Sequence, residues 1–312
     1  MKINFENCQY TVPNFLIVGA AKSGTTSLFN HLRKSKKLWL PAEKEPHFFT
    51  FFNEPPQFKS PEKLPTVISD IKQYSNIFKG SAQDHLIGEA SQSYLYEHET
   101  VIKNIRYLYG ARAKDLKIII VLRNPIERAW SQYWHFRKNT NETISFGEAI
   151  NDTTIISRME NHWNIFYDYI GFGKYANQIK AYKESFENVK ILLFEDIKKD
   201  INGAITQVCN FLEIDSFVVN SNKVYNPSGI PKKNVYGKLW RLNTKNKTLK
   251  KIKKILPLRL RKKIAFILME NALERQKLPE QDRLILKAHY EDEILEIHKL
   301  LKRDEILKWL EK

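Results

Sequence analysis

Apolar positions along this chain fall into two alternating kinds of run. Short, largely unbroken ones at Phe15 to Val18, Leu86 to Ala90, Lys117 to Leu122 and Val189 to Phe194 are bounded by polar or glycine residues and predict strands. Lys117-Ile-Ile-Ile-Val-Leu122 is apolar on both alternating faces, as a strand inside a parallel sheet must be. Leu38 to Leu40 predicts one further short strand. Between these runs the apolar residues recur three or four apart, at Leu28 and Leu32 and at Val101, Ile105 and Leu108, which predicts helices. Asn124 followed by Pro125 is an N-cap and first-turn pair opening another helix, with Ile126, Trp130, Tyr133 and Arg137 on one stripe. Gly173 to Phe186 and Ile201 to Leu212 predict two more.

Elsewhere the pattern breaks. Residues 1–13 are expected to be an irregular lead-in. Pro41 and Pro46 deny a helix to the segment carrying Glu43, Glu45 and His47, so these three are expected on a loop. Proline-rich residues 53–66 predict a surface loop bordering a substrate entrance. Beyond residue 235 only helical patterns occur, interrupted at Pro257 and near Pro279. Strands alternating with helices, then helices alone, predict a three-layer α/β/α fold with a central parallel sheet and a helical C-terminal part. The expected organisation is a single domain over 1–312, with an α/β core at 14–235 and an extension at 236–312.

Charge adds an asymmetry. The chain of 312 residues carries a formal charge of +16, yet the stretch from Lys232 to Ile264 holds fourteen Lys or Arg and no acid, leaving 51 − 14 − 35 = +2 for everything else. Such a block steers anions, binds an acidic surface or forms a solvated helical face. Leu249, Ile252, Ile255 and Leu256 give it an apolar side, so peripheral contact of 232–263 with an anionic membrane is one expectation. Two distant cysteines, Cys8 and Cys209, make no disulfide framework and fit a reducing compartment. With no signal-like leader and no apolar run of about 20 residues, a cytoplasmic protein is expected, with peripheral attachment to the membrane as the alternative.

The densest chemistry lies at 14–29. A strand, a glycine-bounded loop from Gly19 to Gly24 and a helix opening at Thr25, Thr26 and Ser27 make a cradle for an anionic phosphate. A nucleotide-binding P-loop would place lysine directly after the second glycine. Here Thr25 stands there, and the lysine, Lys22, sits inside the loop beside Ser23. Arg123 emerges at the carboxyl end of its strand, where open parallel sheets bind ligands, and Ser131 follows two helical turns on. Glu45 and His47 supply a carboxylate and an imidazole on the proline-bounded loop.

The Lys22-Ser-Gly-Thr-Thr-Ser27 loop, the Arg123-Asn-Pro … Ser131 segment and Glu45-Pro-His-Phe-Phe together resemble the sulfotransferases that use 3′-phosphoadenosine 5′-phosphosulfate (PAPS), in the bacterial and heparan-sulfate-type branch. The resemblance implies a P-loop-like fold and transfer of a sulfuryl group from PAPS to a hydroxyl or amine, leaving PAP, with no metal required. It implies that Lys22, Ser23, Gly24, Thr25, Thr26 and Ser27 hold the 5′-phosphosulfate, with Lys22 reaching its bridging oxygen, and that Arg123 and Ser131 hold the 3′-phosphate. Glu45 would match the catalytic base, with His47 orienting the acceptor or serving as base itself. Asn226-Pro-Ser-Gly-Ile-Pro-Lys-Lys resembles a late loop over the nucleotide, which would bring Lys232 or Lys233 to a phosphate. Gly88-Glu-Ala-Ser-Gln-Ser-Tyr resembles a strand that carries an acceptor-facing lysine in glycan enzymes, but Ala90 stands at that position. The implied acceptor is a saccharide or small metabolite.

Two other classes remain open at this stage. One is a P-loop kinase, for which Glu195-Asp196 is the candidate metal-holding pair. The other is a basic protein binding nucleic acid or a membrane surface; no nucleic-acid motif supports the first of these, and none is expected as a partner.

Overall fold

The computed structural model describes residues 1–311 apart from 43, 63, 65, 138–140, 220–229, 232–272 and 275. Lys232, Lys233, the late loop from Asn226 and the basic 232–263 segment lie outside the described residues, as does Glu43. The elements run β1 (Lys2–Phe5), β2 (Cys8–Thr11), β3 (Phe15–Gly19), α1 (Thr25–Leu32), β4 (Leu38–Trp39), α2 (Ile71–Asn76), β5 (Leu86–Ala90), α3 (Ser93–Tyr96), α4 (His98–Tyr109), β6 (Lys117–Leu122) and α5 (Pro125–Arg137). Then follow α6 (Phe146–Ala149), α7 (Asp152–Glu160), α8 (Tyr175–Ser185), β7 (Asn188–Leu193), α9 (Phe194–Lys199), α10 (Ile201–Leu212), β8 (Ile230–Pro231), β9 (Leu273–Glu274), α11 (Glu280–Leu301) and α12 (Lys308–Glu311).

Five parallel strands form the central sheet in the order β4-β5-β3-β6-β7. Its two faces explain the unbroken apolar runs. Leu16, Val18, Ile118, Ile120 and Leu122 point into the core beneath α4, α5, α8 and α11, while Phe15, Ile17, Ile119, Val121 and Leu192 point to the other side, against Leu28 and Leu32 of α1 and Val208 and Leu212 of α10. Successive strand side chains alternate sides, so a sheet covered on both needs apolar residues at every position. The result is the three-layer arrangement expected, with the helical C-terminal part present. No described helix is long and apolar enough to cross a membrane.

Asn124 caps α5 as expected, its side-chain oxygen accepting the Ile126 amide at 2.9 Å. The same side chain donates to the Trp309 carbonyl at 3.2 Å, joining the start of α5 to α12. α11 packs on α5 and α8 through buried Leu286, Tyr290, Ile294 and Ile297, and the Tyr290 hydroxyl donates to the Ile170 carbonyl at 2.9 Å.

Three sequence expectations need correction. Residues 1–13 are not irregular: β1 and β2 pair as an antiparallel hairpin, with Glu6 and Asn7 at φ 47° and 61° forming the turn and Ile3, Tyr10 and Val12 buried. The turn has the positive φ of a tight hairpin without the glycine that usually marks one. Beyond residue 235 the chain is not purely helical, because β9 pairs antiparallel with β8. Phe194 opens α9 instead of ending β7.

Candidate active site

Lys22 and Arg123 follow the carboxyl ends of β3 and β6, and the loop of Glu45 and His47 is bonded to the residues ending β5. β3 ends at Gly19, the Ala20 amide donates to the Val121 carbonyl of β6 at 2.8 Å, and the chain turns through Lys22 at φ 62° into Gly24 at φ 85°, the N-cap of α1. Ser23 and Thr25 are buried under this loop, whereas Lys22, Gly24, Thr26 and Ser27 are half-buried. At a helix start the first amides lack intrahelical acceptors and carry the positive end of the helix dipole, so the loop is suited to an anion.

Gly24 is required twice over. Its φ lies in the left-handed region, and a Cβ there would meet Phe194 Cδ2 at 2.8 Å. Gly24→Ala is therefore expected to lower stability by about 1–3 kcal/mol, read as a reduced midpoint in denaturant unfolding. An unchanged midpoint would contradict this account.

Arg123 follows β6 and reaches back to the loop: its Nη1 donates to the Lys22 carbonyl at 3.0 Å, and its guanidinium lies 4.9 Å from the centroid of the Phe194 ring. Glu127, one turn along α5, stands 3.9 Å from it. Phe194 thus touches both the anion loop and the arginine, a role invisible in a sequence where it reads as the last core residue of a strand. Ser131 is half-buried on α5, roughly 10 Å along the axis from Asn124. The loop and Arg123 are therefore brought together directly, with Ser131 on the helix that Arg123 precedes.

Glu45 and His47 lie on the expected loop, both with positive φ, at 62° and 53°. Non-glycine residues hold that conformation only where their surroundings impose it. The imposing groups come from the end of β5: the Glu45 amide donates to the Ala90 carbonyl at 3.1 Å, and the His47 amide to Ser91 Oγ at 3.0 Å. His47 Nδ1 lies 2.7 Å from Ser93 Oγ, which also contacts Thr50 Oγ1 at 2.8 Å. Gln92 Nε2 donates to Glu45 Oε2 at 3.2 Å, and Lys44 pairs with Oε1. Ser91, Gln92 and Ser93 were missed as functional residues; the available signal was a polar run directly after a core strand, at the sheet end where ligands bind.

The electrostatics separate the two loop residues. Burial raises the Glu45 carboxyl, but Lys44, His47 and Lys22 outweigh it and hold the group below its ordinary value, so it is a carboxylate at neutral pH. Its side chain remains 25% exposed. His47 is only 1% exposed, and burial drives its imidazole down to about 4, with Lys44 adding to the shift and Glu45 opposing it. It is neutral at pH 7, wedged edge-on between Phe51 and Phe166, with Nε2 buried and unpartnered. Lys22 adds the smallest of the named effects that hold Glu45 down.

The pair Glu195-Asp196 faces a different task. Asp196 accepts from Arg303 Nη2 at 2.9 Å, anchoring the C-terminal part, while burial raises the Glu195 carboxyl.

A family model described as "Sulfotransferase domain" matches residues 12–225. Among curated proteins, the chain is 30% identical over 125 residues to membrane-associated sulfotransferase kil1 of Dictyostelium discoideum, covering 40% of this chain and 23% of that protein. It is 23% identical over 223 residues to heparan sulfate glucosamine 3-O-sulfotransferase 3A1 of Mus musculus, covering 70% of this chain and 51% of that protein. The chain spans about half or less of the length of these two relatives. A solved sulfotransferase from Alicyclobacillus acidocaldarius superposes with a TM-score of 0.69 at 27% identity, over 96% of this chain and 99% of that one.

Proposed function

This chain belongs to the sulfotransferase family, and from that premise we propose that it moves the sulfuryl group of PAPS to a hydroxyl or amine of a saccharide or small metabolite. What supports the reading is an anion-type loop at the carboxyl end of β3 with Arg123 bonded to its Lys22 carbonyl, and Glu45 on a loop tied to Ala90 at the same end of the neighbouring strand β5. A nucleotide with phosphates at both the 5′ and 3′ positions needs two neighbouring cationic sites, and a sulfuryl donor needs a base beside one of them.

In the proposed step Glu45 takes the acceptor proton as the acceptor oxygen or nitrogen bonds to sulfur. The bond from sulfur to the bridging oxygen breaks, and its electron pair stays on the departing 5′-phosphate of PAP. Lys22 and the amides at Gly24 to Thr26 meet that growing charge, with Ser23 and Ser27 completing the loop. Charge stabilisation of this kind asks for no metal. Arg123 and Ser131 hold the 3′-phosphate. His47 is assigned to holding the loop, because a neutral, buried imidazole with its Nδ1 engaged is a poor proton acceptor beside a half-buried carboxylate.

Calorimetry with PAP tests the donor site, and labelled PAPS offered with a panel of oligosaccharides, phenols, amines and polar metabolites tests the transfer. Wild-type protein that binds no PAP would overturn the reading. Arg123→Ala should raise the Kd for PAP by about 10- to 150-fold, the equivalent of losing a charged hydrogen bond of about 1.5–3 kcal/mol. Adenosine 5′-phosphate, lacking the 3′-phosphate, should lose less, since Arg123 touches its loop only through the Lys22 carbonyl.

A further inference from the structure

Glu89 is wholly buried on β5, facing away from solvent into a cage of tyrosines. Among the described residues its hydrogen-bond partners are hydroxyls. Tyr74 donates to Oε2 at 3.2 Å and Ser91 Oγ to Oε1 at 2.7 Å. Ser91 is the same residue whose oxygen receives the His47 amide at 3.0 Å. A chain of hydrogen bonds therefore runs from the His47 backbone through Ser91 to Glu89, and the next residue, Ala90, holds the Glu45 amide. Its polarity is set at the far end, because an ionised carboxylate accepts only. The Ser91 proton must point to Glu89, leaving a lone pair for the His47 amide.

We propose that Glu89 is a positioning residue for Glu45, holding the strained 45–47 loop through Ser91 most firmly in its ionised form, where the bond from Ser91 is charge-assisted and its direction fixed, and loosening it when protonation weakens that bond. This rests on the assignment of Glu45 as base. The groups that face Glu89 are Tyr74 from α2, Ser91 and Tyr94 around the start of α3, Tyr109 from α4, Tyr182 from α8 and the charge of Lys44. Burial lifts the Glu89 carboxyl to about 7 against the opposing hydrogen bonds and Lys44, and it lifts the four phenols far above their ordinary value. Near neutral pH, of Glu89 and the four phenols, only the carboxylate changes charge.

The stability linkage has a definite sign. A carboxyl raised in the fold binds its proton more tightly there than in the unfolded chain, so its contribution is full below the unfolded value near 4.5 and is lost as pH rises through about 7. Glu89 is thus held charged at the expense of the fold, for the sake of the loop.

The test compares wild type, Glu89→Gln and Ser91→Ala between pH 5.5 and 8.5, using amide hydrogen exchange of residues 45–51, PAP calorimetry and labelled-PAPS turnover on the acceptor panel. Wild type should lose loop protection and turnover as pH falls through about 7. Glu89→Gln, whose amide turns a donor toward hydroxyls that are themselves donating, should show neither limb, turn over about 10- to 100-fold more slowly at pH 8 and bind PAP within about twofold of wild type. Ser91→Ala should loosen the loop similarly with Glu89 intact, and it decides the matter if Glu89→Gln fails to fold. Retention of the pH limb in Glu89→Gln, or full loop protection in Ser91→Ala, overturns the proposal. Full turnover in Glu45→Gln would instead remove the base assignment, whatever the exchange data show for Glu89.

Discussion

Glu45→Gln should lower kcat by about 10²- to 10⁴-fold while the affinity for PAP stays within about twofold, the pattern expected when a proton acceptor is lost and the donor site is untouched. Glutamine keeps the shape of the side chain and an acceptor for Gln92 while giving up the Lys44 pair, so it is the unchanged PAP affinity that separates lost basicity from collapse of the loop. The pH profile offers a second check. A base acts deprotonated, and Glu45 is held below the ordinary carboxylate value by Lys44, His47 and Lys22. Its limb therefore lies on the acid side of 4.5, where rate falls as pH falls, separate from any limb near 7. Turnover retained in Glu45→Gln would leave this carboxylate without a part in the chemistry.

The second large effect is expected at Lys22. Its charge matters most when the sulfur–oxygen bond is breaking, since the departing phosphate is more negative then than in bound PAPS. Lys22→Ala should lower the single-turnover rate by about 10²- to 10³-fold, in the range for removing one donor from a developing anion, with a smaller effect on PAP binding measured by calorimetry. Removing the same charge takes away one of the influences depressing Glu45, so the acid limb of the surviving activity should move to higher pH. Equal losses in PAP affinity and rate would mean that Lys22 only binds the nucleotide.

Much of the arrangement was legible from local pattern because its signals are local. The strand from Phe15, the turn at Gly24 and the start of α1 are encoded within a dozen residues, and Asn124-Pro125 announces α5 in two. The hairpin over β1 and β2 was not legible, since strands of four residues joined by Glu6-Asn7 carry neither a long alternation nor a glycine turn. The support of the Glu45 loop was hidden for another reason. Ser91 and Ser93 act on residues more than forty positions away, and nothing in Ala-Ser-Gln-Ser distinguishes a hydrogen-bonding platform from an ordinary polar turn until the chain has folded. Phe194 illustrates the same limit: its value lies in sitting under both Gly24 and Arg123, a relation that no spacing records. Lys232 and Lys233 fall outside the described residues.

The bond from Asn124 to the Trp309 carbonyl spans 185 residues of sequence. A nascent chain can close the sheet and wrap its anion loop well before residue 309 has been made, yet the turn next to Arg123 still lacks its brace from α12. Nucleotide capture should consequently mature late in synthesis, and a nick in the segment leading to α12 would silence the protein while most of its core remained folded.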